Sequence, residues 1–340
     1  MKEQRALLVL ASYDFESLQL TLHSLSHTID NDEMVIVILN GKRNLSGELV
    51  ERVAKAWAME NPSSRYVVRP LSSGGEAYTA ITEVINDSPL LANKKYICKI
   101  DDDLIPLKKD WLPDLANLYT EKENAGNKMG FTTGLINNNA WGFKQLVSLF
   151  NKEEEYKQLF PYPTRAGDKQ EKTIPAGAID DGVCGSVWQY PYMAWWLHQW
   201  TSLATTTFIS KTTDQPAKQI PGDTHYSIGC IYFEKEFWKS LAIKKEKTNF
   251  DELLIHLKCN EKGLGKWAVM KQPMIHLFYF VQRVPNYELV DLVIPELAKH
   301  FSSTVFNNLR RLKPEERQLI IQEHTDLIGE RMKRMKKKFF

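Results

Sequence analysis

The sequence predicts an α/β fold with a Rossmann-type mixed sheet flanked by helices. Short apolar runs bounded by polar residues alternate with amphipathic stretches through residue 110, which is typical of strand–helix–strand crossovers. The apolar runs are rich in Val, Ile and Leu, as expected of parallel strands buried on both faces. With 340 residues, 43% of them hydrophobic and 25% charged, the chain can bury a large core.

The regular pattern of the first half predicts four strands and three intervening helices. We place strands at residues 6–12, 34–41, 65–70 and 95–100, and helices at 17–26, 48–57 and 76–85.

The second half is less regular. An aromatic-rich region precedes a strand and the start of a helix at 225–241, a helix at 249–263, a strand at 267–280 and a helical region from Pro295 onward. We therefore predict three parts. These are an α/β half at 1–136, a second half with an aromatic insertion at 137–290, and a helical, basic tail at 291–340.

Charge and cysteine content exclude several functional classes. The net charge of +2 gives no global basic field, so we expect no nucleic-acid partner. The four cysteines lie far apart, which excludes a zinc finger and argues against a disulfide framework. The apolar run at 6–11 is too short for a signal peptide. We expect a cytoplasmic protein, with a peripheral position on the cytoplasmic face of the inner membrane as an option.

Polar residues follow each predicted strand of the first half. They are Ser12-Tyr13-Asp14, Asn40-Gly41, the loop at 70–75, and the triplet Asp101-Asp102-Asp103. Ligands of open parallel sheets bind beyond the carboxyl ends of the strands. We therefore expect these four segments to converge on one edge.

The aspartate triplet has two interpretations. Three adjacent carboxylates repel one another, and a divalent cation with oxygen ligands would relieve that repulsion while bridging to a phosphate. A solvated acidic turn is the alternative, and the triplet alone does not decide between them.

The order of these segments resembles the family 2 glycosyltransferases of the GT-A fold. The resemblance implies that Asp101 and Asp103 bind Mn²⁺ or Mg²⁺ against a nucleotide-sugar diphosphate. It also implies a donor-binding role for the residues around them, namely Ala11, Ser12, Tyr13, Asn40, Gly75, Asp101 and Asp102. The loop that contains Gly75 could equally be a plain entry to the helix after it.

The second half matches further features of that family. Asp251-Glu252 begins a predicted helix that ends at Gly263, where the family places its catalytic acid pair, although here in reversed order. The resemblance implies that Asp251, or Glu252 in its place, is the general base. It also implies that His276, near the end of a strand, completes the metal site.

Aromatic residues provide weaker candidates for acceptor binding. Trp188, Trp195 and Trp196 belong to a tryptophan-rich stretch, and His225 precedes a predicted strand. Tryptophan faces can stack on sugars, but burial in a core is the commoner use of such residues.

The C-terminus carries six basic residues and no acid within its last ten residues. Its apolar residues fall near helical spacing, so it predicts either attachment to an anionic membrane surface or a solvated tail.

These features together predict a metal-dependent inverting glycosyltransferase. Its donor would be a nucleotide sugar, with UDP favoured, and its acceptor a glycan or lipid-linked glycan. By analogy with relatives, the setting would be bacterial surface polysaccharide or lipopolysaccharide assembly. A sugar nucleotidyltransferase and a non-catalytic nucleotide-sugar-binding module remain as alternatives.

Overall fold

The structure is a computed structural model that describes most of the chain. It covers residues 2–12, 14–41, 44–71, 77–138, 140–160, 191–222, 228–242, 251–277, 287–323 and 325–326.

The described strands form one nine-stranded mixed sheet. They are β1 Arg5–Ala11, β2 Val35–Leu39, β3 Arg65–Val68, β4 Tyr96–Asp101, β5 Leu104–Pro106, β6 Met129–Ile136, β7 Lys218–Gln219, β8 Cys230–Glu234 and β9 Gly265–His276. Their order is β3-β2-β1-β4-β8-β6-β9-β5, and β7 pairs with β9. β3, β2, β1 and β4 are mutually parallel, whereas β8 is antiparallel to both of its neighbours. β6 and β9 are parallel to each other.

Helices connect and cover these strands. They are α1 Phe15–Thr28, α2 Leu45–Met59, α3 Ala77–Asp87, α4 Trp111–Asn124, α5 Ala140–Leu149, α6 Glu153–Leu159, α7 Pro191–Trp200, α8 Thr205–Thr212, α9 Lys235–Ser240, α10 Asp251–Lys262 and α11 Tyr287–His300. Residues 314–323 are also helical.

The predicted α/β fold with a mixed sheet flanked by helices is confirmed. All residues of β1 and β2 are buried, as the apolar runs predicted for strands covered on both faces. The largest boundary difference is in the last long helix, because α11 begins at Tyr287 and contains Pro295 within it. A proline removes one backbone hydrogen bond from a helix. The apolar face of α11 is buried, which offsets that loss.

The C-terminal extension packs over the starts of α1 and α2. The buried carboxylate of Glu16 accepts hydrogen bonds from the Leu312 amide at 3.0 Å and from the Arg317 guanidinium at 3.3 Å. Glu323 accepts from the Leu45 amide at 3.0 Å and the Ser46 hydroxyl at 2.6 Å. Because α1 and α2 follow β1 and β2, this extension lies beside the carboxyl ends of those two strands.

Cys98, Cys230 and Cys259 are buried free thiols, and Cys184 lies outside the described residues. Among the helices that the structure describes, none has both the length and the apolar character needed to cross a bilayer.

Candidate active site

The ends of β1, β2 and β4 meet at the carboxyl edge of the sheet, by which we mean the edge where the parallel strands end. The Ser12 amide donates to Asp102 Oδ2 at 2.9 Å, and the Asn40 amide donates to the Ala11 carbonyl at 2.8 Å. A Cβ on Gly41 would lie 2.3 Å from the Ser12 carbonyl oxygen, so this close approach requires glycine. Four of the predicted donor-binding residues are therefore neighbours.

Two carboxylates at this edge are engaged by backbone and hydroxyl groups. Asp14 caps α1 by accepting from the Ser17 amide at 3.0 Å and its hydroxyl at 2.9 Å. Burial raises the pKa of Asp14 well above its ordinary value, and the charge of Asp102 adds to this effect. Burial and the charge of Asp103 likewise raise the pKa of Asp102. Both carboxyl groups therefore hold a proton more readily than an ordinary aspartate does.

Asp101 forms an ion pair within the protein. Lys99 is fully buried on β4, its Nζ lies 2.5 Å from Asp101 Oδ1, and it donates to the Ile228 carbonyl at 2.9 Å. Burial raises the pKa of Asp101, while the charge of Lys99 opposes that rise. Lys99 was not predicted from the sequence. The pattern that could have identified it is a charged residue inside an apolar strand, two positions before Asp101 and therefore on the same face.

Asp103 contacts His276, although 173 residues separate them in the chain. His276 is the last residue of β9 and pairs with Leu104 of β5, and its Nε2 donates to Asp103 Oδ2 at 3.1 Å. Burial lowers the pKa of His276, but the charge and hydrogen bond of Asp103 outweigh this and raise it to about 9. Without a metal, the two side chains therefore form an ion pair at neutral pH.

The predicted metal ligands are only partly assembled. Among the residues that the structure describes, no group of three His, Cys, Asp or Glu side chains is arranged to hold a metal ion. The Asp103 and His276 donor atoms are 3.1 Å apart, close to the ~3.0 Å between neighbouring ligands of an octahedral ion bound at ~2.1 Å. Mg²⁺ typically retains waters and takes further oxygens from substrate phosphates. These two residues fit such a site, whereas Asp101 is turned to Lys99.

A buried polar network lies behind His276. The His276 amide donates to Asn137 Oδ1 at 2.8 Å, and Asn137 Nδ2 donates to the hydroxyls of Thr201 and Ser202. His198 Nδ1 lies 2.6 Å from Ser202 Oγ, and burial lowers the pKa of His198 to about 3, which keeps it neutral. The sequence analysis did not single out Asn137.

The aromatic segment is largely core. Trp196 is 7% exposed, packs edge-on against Trp200 and donates from Nε1 to Glu155 at 2.6 Å. These contacts favour a packing role for Trp196 over acceptor binding. Trp195 is partly buried against the same core, and its contact with an acceptor stays a prediction.

α10 runs antiparallel to β6. Its Cys259 lies against Gly130 at the start of β6, and the ring of His256, nearer the start of the helix, packs on Phe131. Gly263 ends the helix at φ +62°, and β9 follows directly. Asp251 therefore begins α10 at the end nearer the candidate site.

For the remaining predicted site residues, the structure does not describe the side chains. The side chains of Asp251 and Glu252 lie outside the described part of the structure, as do Tyr13, Gly75, Trp188 and His225.

The chain matches no family model and no curated protein. Its fold is similar to that of several solved structures. The 1–349 segment of S. aureus TarS is 11% identical with a TM-score of 0.42, and the match covers 95% of this chain and 70% of that one. GalNAc-T7 with UDP, GalNAc and Mn²⁺ is 12% identical with a TM-score of 0.45, at 95% and 54% coverage. The chain thus spans about half the length of GalNAc-T7.

A third similar structure is the mannosyltransferase PcManGT from Pyrobaculum calidifontis in complex with GDP-Man and Mn²⁺. It is 11% identical with a TM-score of 0.44, and the match covers 94% of this chain and 69% of that one. Similarities of this degree assign neither a family nor an activity.

The two outer aspartates of the triplet should differ in their effect on Mn²⁺ binding. Asp103→Asn should remove measurable binding because it deletes one of the two paired donors. Asp101→Asn should weaken binding by less than about tenfold, since it removes only a nearby charge. The loss of the free-Mn²⁺ electron paramagnetic resonance signal on titration measures both. Equal losses in the two variants would make Asp101 a ligand.

The buried His198 should make the metal-free protein sensitive to acid. Because its pKa is about 3 in the folded protein and near 6.5 in the unfolded chain, the unfolded state binds more protons between these values. Stability is therefore lost as the pH falls below 6.5, by up to about 1.4 kcal/mol per pH unit.

Urea unfolding of the wild type and His198→Gln at several pH values in EDTA isolates this contribution. The wild type should lose stability relative to the variant as the pH falls. Parallel dependence in the two proteins would show that His198 does not titrate across the transition.

Proposed function

We propose that this protein is a metal-dependent inverting glycosyltransferase that moves a sugar from a nucleotide-sugar donor to a glycan or lipid-linked glycan. The observation that carries the proposal is the Asp103–His276 pair at the carboxyl edge, beside the ends of β1 and β2. This pair joins a carboxylate and an imidazole at the place where an open parallel sheet presents its ligand sites.

The charge of the edge supports a donor bound together with a cation. Four aspartates at positions 14, 101, 102 and 103 lie at this edge, and Lys99 is the buried lysine that pairs with one of them. A diphosphate would be repelled by such a surface unless a divalent cation bridged the two. Asp103 and His276 would hold that cation, with Mn²⁺ or Mg²⁺ as the candidates.

The residues after β1 and β2 suit the nucleoside part of the donor. The Asn40 amide donates to the carbonyl of Ala11, the residue before Ser12, and Gly41 allows the two strand ends to approach closely. We assign the base and ribose to this region, with UDP favoured, and we assign donor hydroxyls to the carboxylate of Asp101. Lys99 orients that carboxylate and favours its ionised form.

Transfer requires charge stabilisation and proton removal. A bound divalent ion would stabilise the negative charge that develops on the departing diphosphate. Asp251, or Glu252 in its place, would remove the proton of the acceptor hydroxyl as that oxygen attacks the anomeric carbon. The new carbon–oxygen bond forms on the face opposite the breaking bond to the diphosphate, so the configuration inverts.

The proposed acceptor and location rest on the sequence alone. The resemblance to family 2 implies bacterial surface polysaccharide or lipopolysaccharide assembly. The basic residues within 331–340 suit an anionic membrane surface on the cytoplasmic side, where a lipid-linked acceptor would be presented.

Incubation with a panel of nucleotide sugars and Mn²⁺ tests the activity. Slow release of free UDP, GDP or CMP by hydrolysis is the expected result, and EDTA should abolish it. Turnover that requires pyrophosphate would instead indicate a sugar nucleotidyltransferase. Donor binding with no turnover, with any glycan or lipid-linked acceptor, would indicate a non-catalytic module.

Asp251→Asn should abolish transfer while nucleotide affinity changes little, because the base acts on the acceptor and not on the donor. Glu252→Gln is the matched comparison on the neighbouring residue, and the more damaged variant identifies the base. Calorimetry with Mn²⁺ and UDP measures binding in parallel with the transfer rate. An equal loss of binding and turnover would make Asp251 structural.

A further inference from the structure

Asn137 extends the pairing of β6 with β9 beyond the end of β6. The parallel ladder ends at the pair Ile136 and Met274, and the Asn137 amide still donates to the Met274 carbonyl at 3.1 Å. Beyond Met274, the next β9 amide that points towards β6 is that of His276. Asn137 Oδ1 accepts a hydrogen bond from this amide at 2.8 Å. A side chain thus takes the place of a backbone carbonyl at the strand end.

The other end of the same side chain is anchored to the segment after α7. Asn137 Nδ2 donates to Thr201 Oγ1 at 3.1 Å and to Ser202 Oγ at 3.2 Å. With three of its four hydrogen-bonding positions in use and no exposed surface, the amide is nearly saturated. Its removal would leave buried polar groups without partners, which is costly.

The anchoring hydroxyls are themselves held in place. Thr201 Oγ1 donates to the Leu197 carbonyl of α7 at 2.8 Å, and Ser202 Oγ lies 2.6 Å from His198 Nδ1. All of these side chains are buried. Asn137 is therefore a rigid bridge from the aromatic-rich α7 to the backbone of His276.

His276 is held from both sides of β9, by its pairing with Leu104 of β5 and by the Asn137 side chain. Its backbone carries the imidazole that meets Asp103 at 3.1 Å, and the adjacent Leu277 amide donates to the Asp103 carbonyl at 3.0 Å. The hydrogen bond to Asn137 holds the edge of β9 that lies opposite Asp103 and β5. Loss of this bond would allow the strand end to shift and the donor spacing to change.

We propose that Asn137 is a positioning residue that fixes His276 for cation binding and couples α7 to the metal site. The inference rests on the proposed function, in which His276 and Asp103 hold the cation. Outer-shell partners of metal ligands commonly contribute a factor of about 10–100 to metal affinity. Asn137 binds the backbone amide of His276 instead of its imidazole ring. We therefore expect an effect on metal affinity at the lower end of that range.

Asn137→Ala in the full-length protein tests this role with two readouts. Mn²⁺ affinity, from the free-ion electron paramagnetic resonance signal, should fall about tenfold. Amide hydrogen exchange of the peptide that contains His276 should become faster, because its amide loses the acceptor. Ser64→Ala is the control, since it removes a partly buried hydrogen bond to the Asn31 carbonyl at the opposite edge of the sheet. It should change neither readout.

A second variant guards against misfolding of the first. Thr201→Val combined with Ser202→Ala keeps the acceptor for the His276 amide but releases Asn137 Nδ2, and should weaken Mn²⁺ binding in the same direction by a smaller factor. If the wild type binds Mn²⁺ and both variants bind it within about twofold of that affinity, the positioning role is overturned and the proposed function stands. If the wild type itself binds no Mn²⁺, with or without UDP, the proposed function fails and the positioning role fails with it.

Discussion

Carboxylates crowd the carboxyl edge of the sheet, and their mutual repulsion is the constraint around which the site is organised. Burial and neighbouring charge raise the pKa values of three of the four aspartates there, because an ionised carboxylate is costly at this edge without a partner. One aspartate caps α1, one accepts from the backbone after β1, and one pairs with Lys99. Only Asp103 is partnered by a side chain that is itself a common metal ligand. The other three carboxylates have partners within the protein, which leaves Asp103 as the proposed cation ligand.

The fold brings this arrangement together from distant parts of the chain. β4 delivers the aspartates, and the short β5 that follows them pairs with the end of β9, which delivers His276. Asn137, from the end of β6, supports His276 from the other side of that strand. The C-terminal extension meanwhile packs on the starts of α1 and α2. The candidate site therefore combines residues from both halves of the chain.

Sequence reasoning succeeded where the pattern was local. The first four strands follow from continuous apolar runs, and the position of the aspartates follows from their place directly after β4. The resemblance to a known family brought Asp103 and His276 to one site, and the two are in contact. Asn137 was missed because its partners come from β9 and from the turn after α7, which no local pattern encodes. Lys99 was overlooked inside the apolar run of β4, although it lies two positions before Asp101. The burial of Trp196 was not foreseen because composition does not distinguish a buried tryptophan from an exposed one, and its contact with an acceptor stays a prediction.

Crystals grown with Mn²⁺ and UDP, measured at a wavelength where manganese scatters anomalously, test the central claim most directly. The account predicts one anomalous peak about 2.0–2.3 Å from both an Asp103 carboxylate oxygen and His276 Nε2, with the UDP diphosphate completing its ligands. Ordered UDP at this edge with no such peak, or a peak that contacts neither residue, would contradict it.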